Sequence, residues 1–150
     1  MFTNLTENPR GFRFLDHMTD AEIEAYGLDI DEAFENAAKA VEDLMVDLSS
    51  IRPIETKELK IEAHDLGALL YDWIEALIAL QDNEGLLFSR FECRIDKINA
   101  EKYILIAKLF GEKFDPSRHE QKTAVKSPTF HDMIFTEKDS LVTMRFLVDL

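Results

Sequence analysis

Cysteine is all but missing from this chain of 150 residues, in which Cys93 stands alone. A single thiol cannot close an intramolecular disulfide or build a cysteine-rich zinc ribbon. Cys93 lies in the alternating apolar register Phe91, Cys93, Ile95, and is expected to serve as a small buried hydrophobe. Glycine and proline are also sparse, at five and four residues. That leaves little material for a phosphate cradle, and the sequence contains no Walker, GxGxxG, GxSxG or HExxH pattern. No apolar run approaches the roughly 18 residues of a membrane span. The first residues, Met1 to Thr6, lack a basic stretch followed by an apolar one, so a cytoplasmic address and no membrane partner are expected.

Positive charge is the scarcer sign. Seventeen Lys and Arg residues face 30 Asp and Glu residues, a formal charge of −13. Phosphate contacts supply most of the affinity of proteins that grip RNA or DNA unaided, so no strong direct nucleic-acid binding is expected. Such a surface attracts divalent cations and basic protein faces instead.

What is present reads as one globular domain with two helices. Phe12 to His17 predicts a first strand. In residues 21–27, Ile23 and Ala25 alternate with Glu22 and Glu24, as in a strand with one solvated face. Asp29 and Asp31 are candidate N-caps for a helix whose apolar positions Phe34, Ala37, Ala38, Val41, Leu44, Met45 and Leu48 recur at a spacing of three to four. Leu59, Ile61 and Ala63 mark another strand. Asp65 is the expected cap of a second helix with the stripe Leu66, Leu69, Leu70, Trp73, Leu77 and Leu80, and Gly85 is its expected stop.

From Leu86 the period changes to two. Residues 103–110 are apolar enough for a central strand, and a turn-rich loop with Pro116, Arg118 and His119 follows. Two closing strands are expected, around 125–135 and 141–148, with Pro128 placing the first of them at an edge or a bulge. The order predicts an α+β fold, with a mixed or antiparallel sheet carrying both main helices on one face.

Chemistry-bearing residues are few. Of the four histidines, His17 lies three residues before Asp20 at the end of the first strand, a spacing that suits a turn or half of a metal site. At the other end, Val142, Met144, Phe146 and Val148 share one face of the last strand, so Asp149 falls on the opposite face beside the carboxylate of Leu150. Two like charges so close raise each other's pKa unless a cation offsets them. Hard oxygen ligands of this kind suit calcium, magnesium or manganese.

An ordered series of segments resembles the archease family over essentially the whole chain. It begins with Leu15-Asp16-His17, Asp20, Glu24-Ala25-Tyr26-Gly27 and Glu32-Ala33-Phe34. It continues through Met45-Val46-Asp47, His64-Asp65-Leu66, Leu86-Leu87-Phe88, Gly111-Glu112, His119 and Thr129-Phe130-His131-Asp132-Met133, and closes at Val148-Asp149-Leu150. Met18-Thr19 stands where the family usually has Thr-Ala.

The resemblance implies an α+β fold of strand-helix-strand-strand type. It implies an accessory protein, not itself an enzyme, that serves the RNA-splicing ligase joining ends with a 2′,3′-cyclic or 3′-phosphate. In that family the small protein promotes formation of the ligase–guanylate intermediate and repeated turnover. The family's metal site maps onto Asp20, Asp149 and Leu150, with calcium the first expectation and magnesium or manganese next. Asp47 and His17 are the expected partner-contact residues. Two rival readings are a metal-dependent hydrolase of a small phosphorylated substrate, with His17 or His119 as base, and a chaperone-like module for RNA-modifying enzymes.

Overall fold

The computed structural model describes residues 10–15 and 19–150. Among these residues seven strands and two long helices follow one another: β1 Phe12–Leu15, β2 Asp20–Gly27, α1 Ile30–Met45, β3 Glu55–Ala63, α2 Leu66–Glu84, β4 Leu86–Asn99, β5 Lys102–Lys113, β6 Ser127–Lys138 and β7 Leu141–Asp149. The class is α+β, as the element order predicts. The strands form two sheets, ordered β1-β2-β7-β6 and β3-β5-β4. All their pairings are antiparallel.

Each helix touches both sheets: α1 packs on β2 and β4, α2 on β6 and β3. The helices therefore lie on one face of each sheet, and the core fills the space between. Ile23, Ala25, Phe34, Ala38, Leu70, Trp73, Leu105 and Phe146 are fully buried there. The Trp73 indole N–H donates to the Phe34 carbonyl at 3.0 Å, so its one polar atom is satisfied within the core.

Local chemistry sets the boundaries. Asp29 caps α1 by accepting from the Glu32 N–H at 2.8 Å, while the Glu32 carboxylate accepts from the Leu28 N–H at 2.8 Å. The first bond satisfies an orphan donor of the first turn, and the second ties the residue before the cap back onto the helix. Asp65 caps α2 through the Ala68 N–H at 2.7 Å. Gly85 ends α2 at φ +65°, the left-handed conformation that costs glycine nothing. Asp139 and Ser140 both have positive φ and form the two-residue turn between β6 and β7. Pro128 proves to lie in an edge strand whose register also shifts between Thr129 and Ile134.

The outer edge of β4 is closed by acids of α1. The N–H groups of Phe88, Cys93 and Ile95 donate to Glu42, Glu35 and Asp31 at 3.1, 2.8 and 3.0 Å. A helix face thus replaces the strand that an exposed edge would otherwise recruit. Cys93 is buried, as expected, and burial pushes its thiol far above the ordinary range.

Candidate functional site

Asp20 begins β2 and Asp149 ends β7, and the ladder between those strands sets them directly opposite each other. Alternation explains the shared face: Ala21 and Val148 point into the core, so the residues beside them point away from it. Ser127, the first residue of β6, stands opposite Asp149 on its other side. Its hydroxyl lies 3.4 Å from Asp149 Oδ2. The main chain is tied down as well, since the Lys126 N–H donates to the Asp149 carbonyl at 2.8 Å. Leu150 packs partly buried against the core. Three strands therefore bring two carboxylates, a hydroxyl and the Leu150 terminus to one end of the sheet.

Asp47 is the other acid expected to meet a partner. It follows α1, whose last turn is joined to Asp149 by the segment 121–126: Lys122 N–H donates to the Met45 carbonyl, and Thr123 N–H to the Leu44 carbonyl. The Asp47 carboxylate accepts from the Ser49 hydroxyl and N–H, caps the short turn Leu48–Ser50, and is lowered in pKa by those bonds. Its exposure leaves it open to a partner. His17 lies outside the described residues, as does Met18. His119 has its ring fully buried and fully engaged. Its Nδ1 accepts from the Asp115 N–H at 2.8 Å, so Nε2 carries the proton and donates to Glu112 at 3.0 Å. A ring held in that way offers no free base to a substrate.

No group of three or more His, Cys, Asp or Glu side chains gathers as a metal set among the described residues. The side-chain donors at the Asp20–Asp149 end are instead two carboxylates and the Ser127 hydroxyl. That donor set fits an oxygen-preferring divalent ion and does not fit zinc, which favours nitrogen and sulfur.

Two charged clusters leave no local pattern in the sequence. The first lies on the same outward face, two alternations along from Asp20. Glu24 was expected on a solvated face; it is instead 3 % exposed. It is held in register between Arg13 on β1 and Arg145 on β7, which donate at 2.8 and 2.6 Å, and it also accepts from the Tyr26 hydroxyl. Burial pushes the Glu24 pKa up, but Tyr26, Arg145 and Arg13 outweigh it and hold the carboxylate below its ordinary range. The second cluster joins Glu112 to the Arg52 N–H at 2.7 Å, the Arg52 guanidinium, Arg118 and His119. Against the opposing push of burial, these donors draw Glu112 down to about 2.

The comparisons agree with this architecture. Residues 12–150 match the model of the Archease protein family. A protein archease from Sulfurisphaera tokodaii is 45% identical over 139 residues, covering 93% of this chain and 98% of that relative. A solution structure of a Methanobacterium thermoautotrophicum protein superposes with a TM-score of 0.82 at 38% identity, covering 94% of this chain and 99% of the other. A crystal structure from Thermotoga maritima, described as an archease and possible chaperone, has a TM-score of 0.59 at 18% identity over 91% of this chain and 94% of its own, and shows the shared fold. This chain belongs to the archease family.

Proposed function

We propose that this protein is a cytoplasmic accessory factor of an RNA-splicing ligase, promoting the ligase's guanylylation and its multiple turnover without joining RNA itself. The observation that carries the reading is the direct opposition of Asp20 and Asp149 across β2 and β7. With the Leu150 carboxylate they would hold one divalent ion, calcium foremost, in an acidic patch open to a partner. The ion, when bound, supplies positive charge that a partner's phosphate or carboxylate oxygens can share. The protein's own residues do the rest: the ladder aligns the two carboxylates, Ser127 and Lys126 brace Asp149, and Asp47 offers an exposed carboxylate after α1. The charge of −13 supports docking on a basic protein face over direct capture of RNA. No helix among the described residues is long and apolar enough to cross a membrane.

The test is a ligase guanylylation and turnover assay with Asp20→Ala and Asp149→Ala. Loss of stimulation in both variants, with folding intact by circular dichroism, supports the reading. Full stimulation by both would sink it.

A further inference from the structure

At the other end of the β2–β7 pair, a groove of about 490 Å³ opens between the two sheets. Leu28, Ile30, Leu66, Ile95, Tyr103 and Phe135 supply its apolar lining. They come from the mouths of both helices, from the β4–β5 hairpin and from β6. Leu28 is 68 % exposed, a large apolar side chain left in water at the groove's lip. Asp29 and Glu137 also line the groove, and Asp31 lies near Asp29 and adds to the negative field, while neighbouring Asp96 is paired with Arg94 at 3.4 Å. The cation among the lining residues, Lys97, rests over the Tyr103 ring at 5.7 Å.

This combination selects its occupant. A phosphate or other anion is turned away, because Asp29, Asp31 and Glu32 already fill the first turn of α1. A second copy of this chain brings its own formal charge of −13 to an already acidic rim. An apolar segment flanked by positive charge satisfies both the lining and the rim.

We propose that this groove docks a short segment of a partner protein in which Leu, Ile or Phe anchors are flanked by Lys or Arg. The site is separate from the acid pair. Asp20↔Asp149 and Gly27↔Val142 are the two ends of one ladder, roughly 23 Å apart at the rise of an antiparallel strand. The inference goes beyond the metal-centred reading and stands without it, and a partner engaged at both ends would be gripped across the full length of the sheet.

Fluorescence polarisation with the full chain and a labelled twelve-residue peptide alternating Leu or Phe with Lys tests the proposal. The peptide is expected to bind in the micromolar range. Exchanging its Lys for Glu, or its apolar residues for Ser, is expected to abolish binding. Leu28→Ser and Glu137→Lys should each weaken binding at least fivefold, whereas Glu62→Lys, the same charge change on the exposed face of β3, should alter it less than twofold. Equal weakening by Glu137→Lys and Glu62→Lys would show net-charge attraction only and overturn the proposal. So would a dimer seen by light scattering that Leu28→Ser dissolves, because a second copy would then be the occupant. Binding should persist in chelator and in Asp149→Asn, so failure of the metal reading leaves this result untouched.

Discussion

Asp20 and Asp149 face each other as direct partners in the β2–β7 ladder, two carboxylates at a position where like charges oppose pairing. A bound cation converts that opposition into attraction. Calcium at one hundred times its Kd is therefore expected to stabilise the protein by about 2.7 kcal/mol, a rise in Tm of roughly 5–10 °C for a chain of this size. Asp149→Asn should remove the calcium-dependent rise while slightly raising Tm in chelator. Thermal scans with and without calcium decide the matter; an equal rise in wild type and variant would place the ion elsewhere.

Glu24 anchors the middle of the same sheet, clasped by Arg13 and Arg145 from both neighbouring strands. Glu24 is buried but both arginines are more than a third exposed, so removing the carboxylate costs about 1–2 kcal/mol after solvent screening of the arginines. Because its pKa is lowered in the fold, the stabilisation is present above the ordinary carboxylate range and is lost as pH falls through the folded value. Glu24→Gln should lower the urea midpoint at pH 7 and flatten its decline in acid. A variant as acid-sensitive as wild type would assign that decline to other groups.

Much of this fold could be read from local pattern. The helices declare themselves through apolar spacing and through caps at Asp29 and Asp65, and β5 through its apolar run. Asp149 follows from alternation along β7. What alternation cannot supply is register: that Asp149 meets Asp20, with Ser127 on its other side, depends on pairing between strands far apart in sequence. The acids of α1 were hidden for the same reason. Asp31, Glu35 and Glu42 have the spacing of a solvated helix face, but their hydrogen-bond donors lie 64, 58 and 46 residues away. The second sheet was equally invisible, because a strand order that splits β3, β5 and β4 from the rest leaves no mark on local composition.

Those α1 acids make the β4 edge testable. Asp31→Ala combined with Glu35→Ala would free the N–H groups of Ile95 and Cys93 at an unpaired strand edge. Free edges recruit other strands. The double variant should therefore associate in a concentration-dependent way by light scattering, with gain of β-structure in the infrared amide band, while wild type does not. A monomeric double variant would show that packing alone protects the edge.

Glu42 carries the remaining prediction. Its side chain is wholly buried, Oε1 accepts from the Phe88 N–H, and Oε2 has no hydrogen-bond partner among the described residues. Burial raises its pKa to about 8, against the smaller downward pull of that bond. The folded protein therefore keeps the proton through neutral pH, whereas the unfolded chain releases it near the ordinary glutamate value of about 4.3. The sign follows from linkage: the contribution is complete below the unfolded value and is lost as pH rises through about 8. Glu42→Gln keeps an acceptor for Phe88 and removes the titration. Its stability should lose the decline that wild type shows between pH 5 and 9, so the difference between the two proteins should move steadily in the variant's favour as pH rises through about 8. Parallel urea midpoints for the two proteins across that range would mean that Glu42 does not set the alkaline limit.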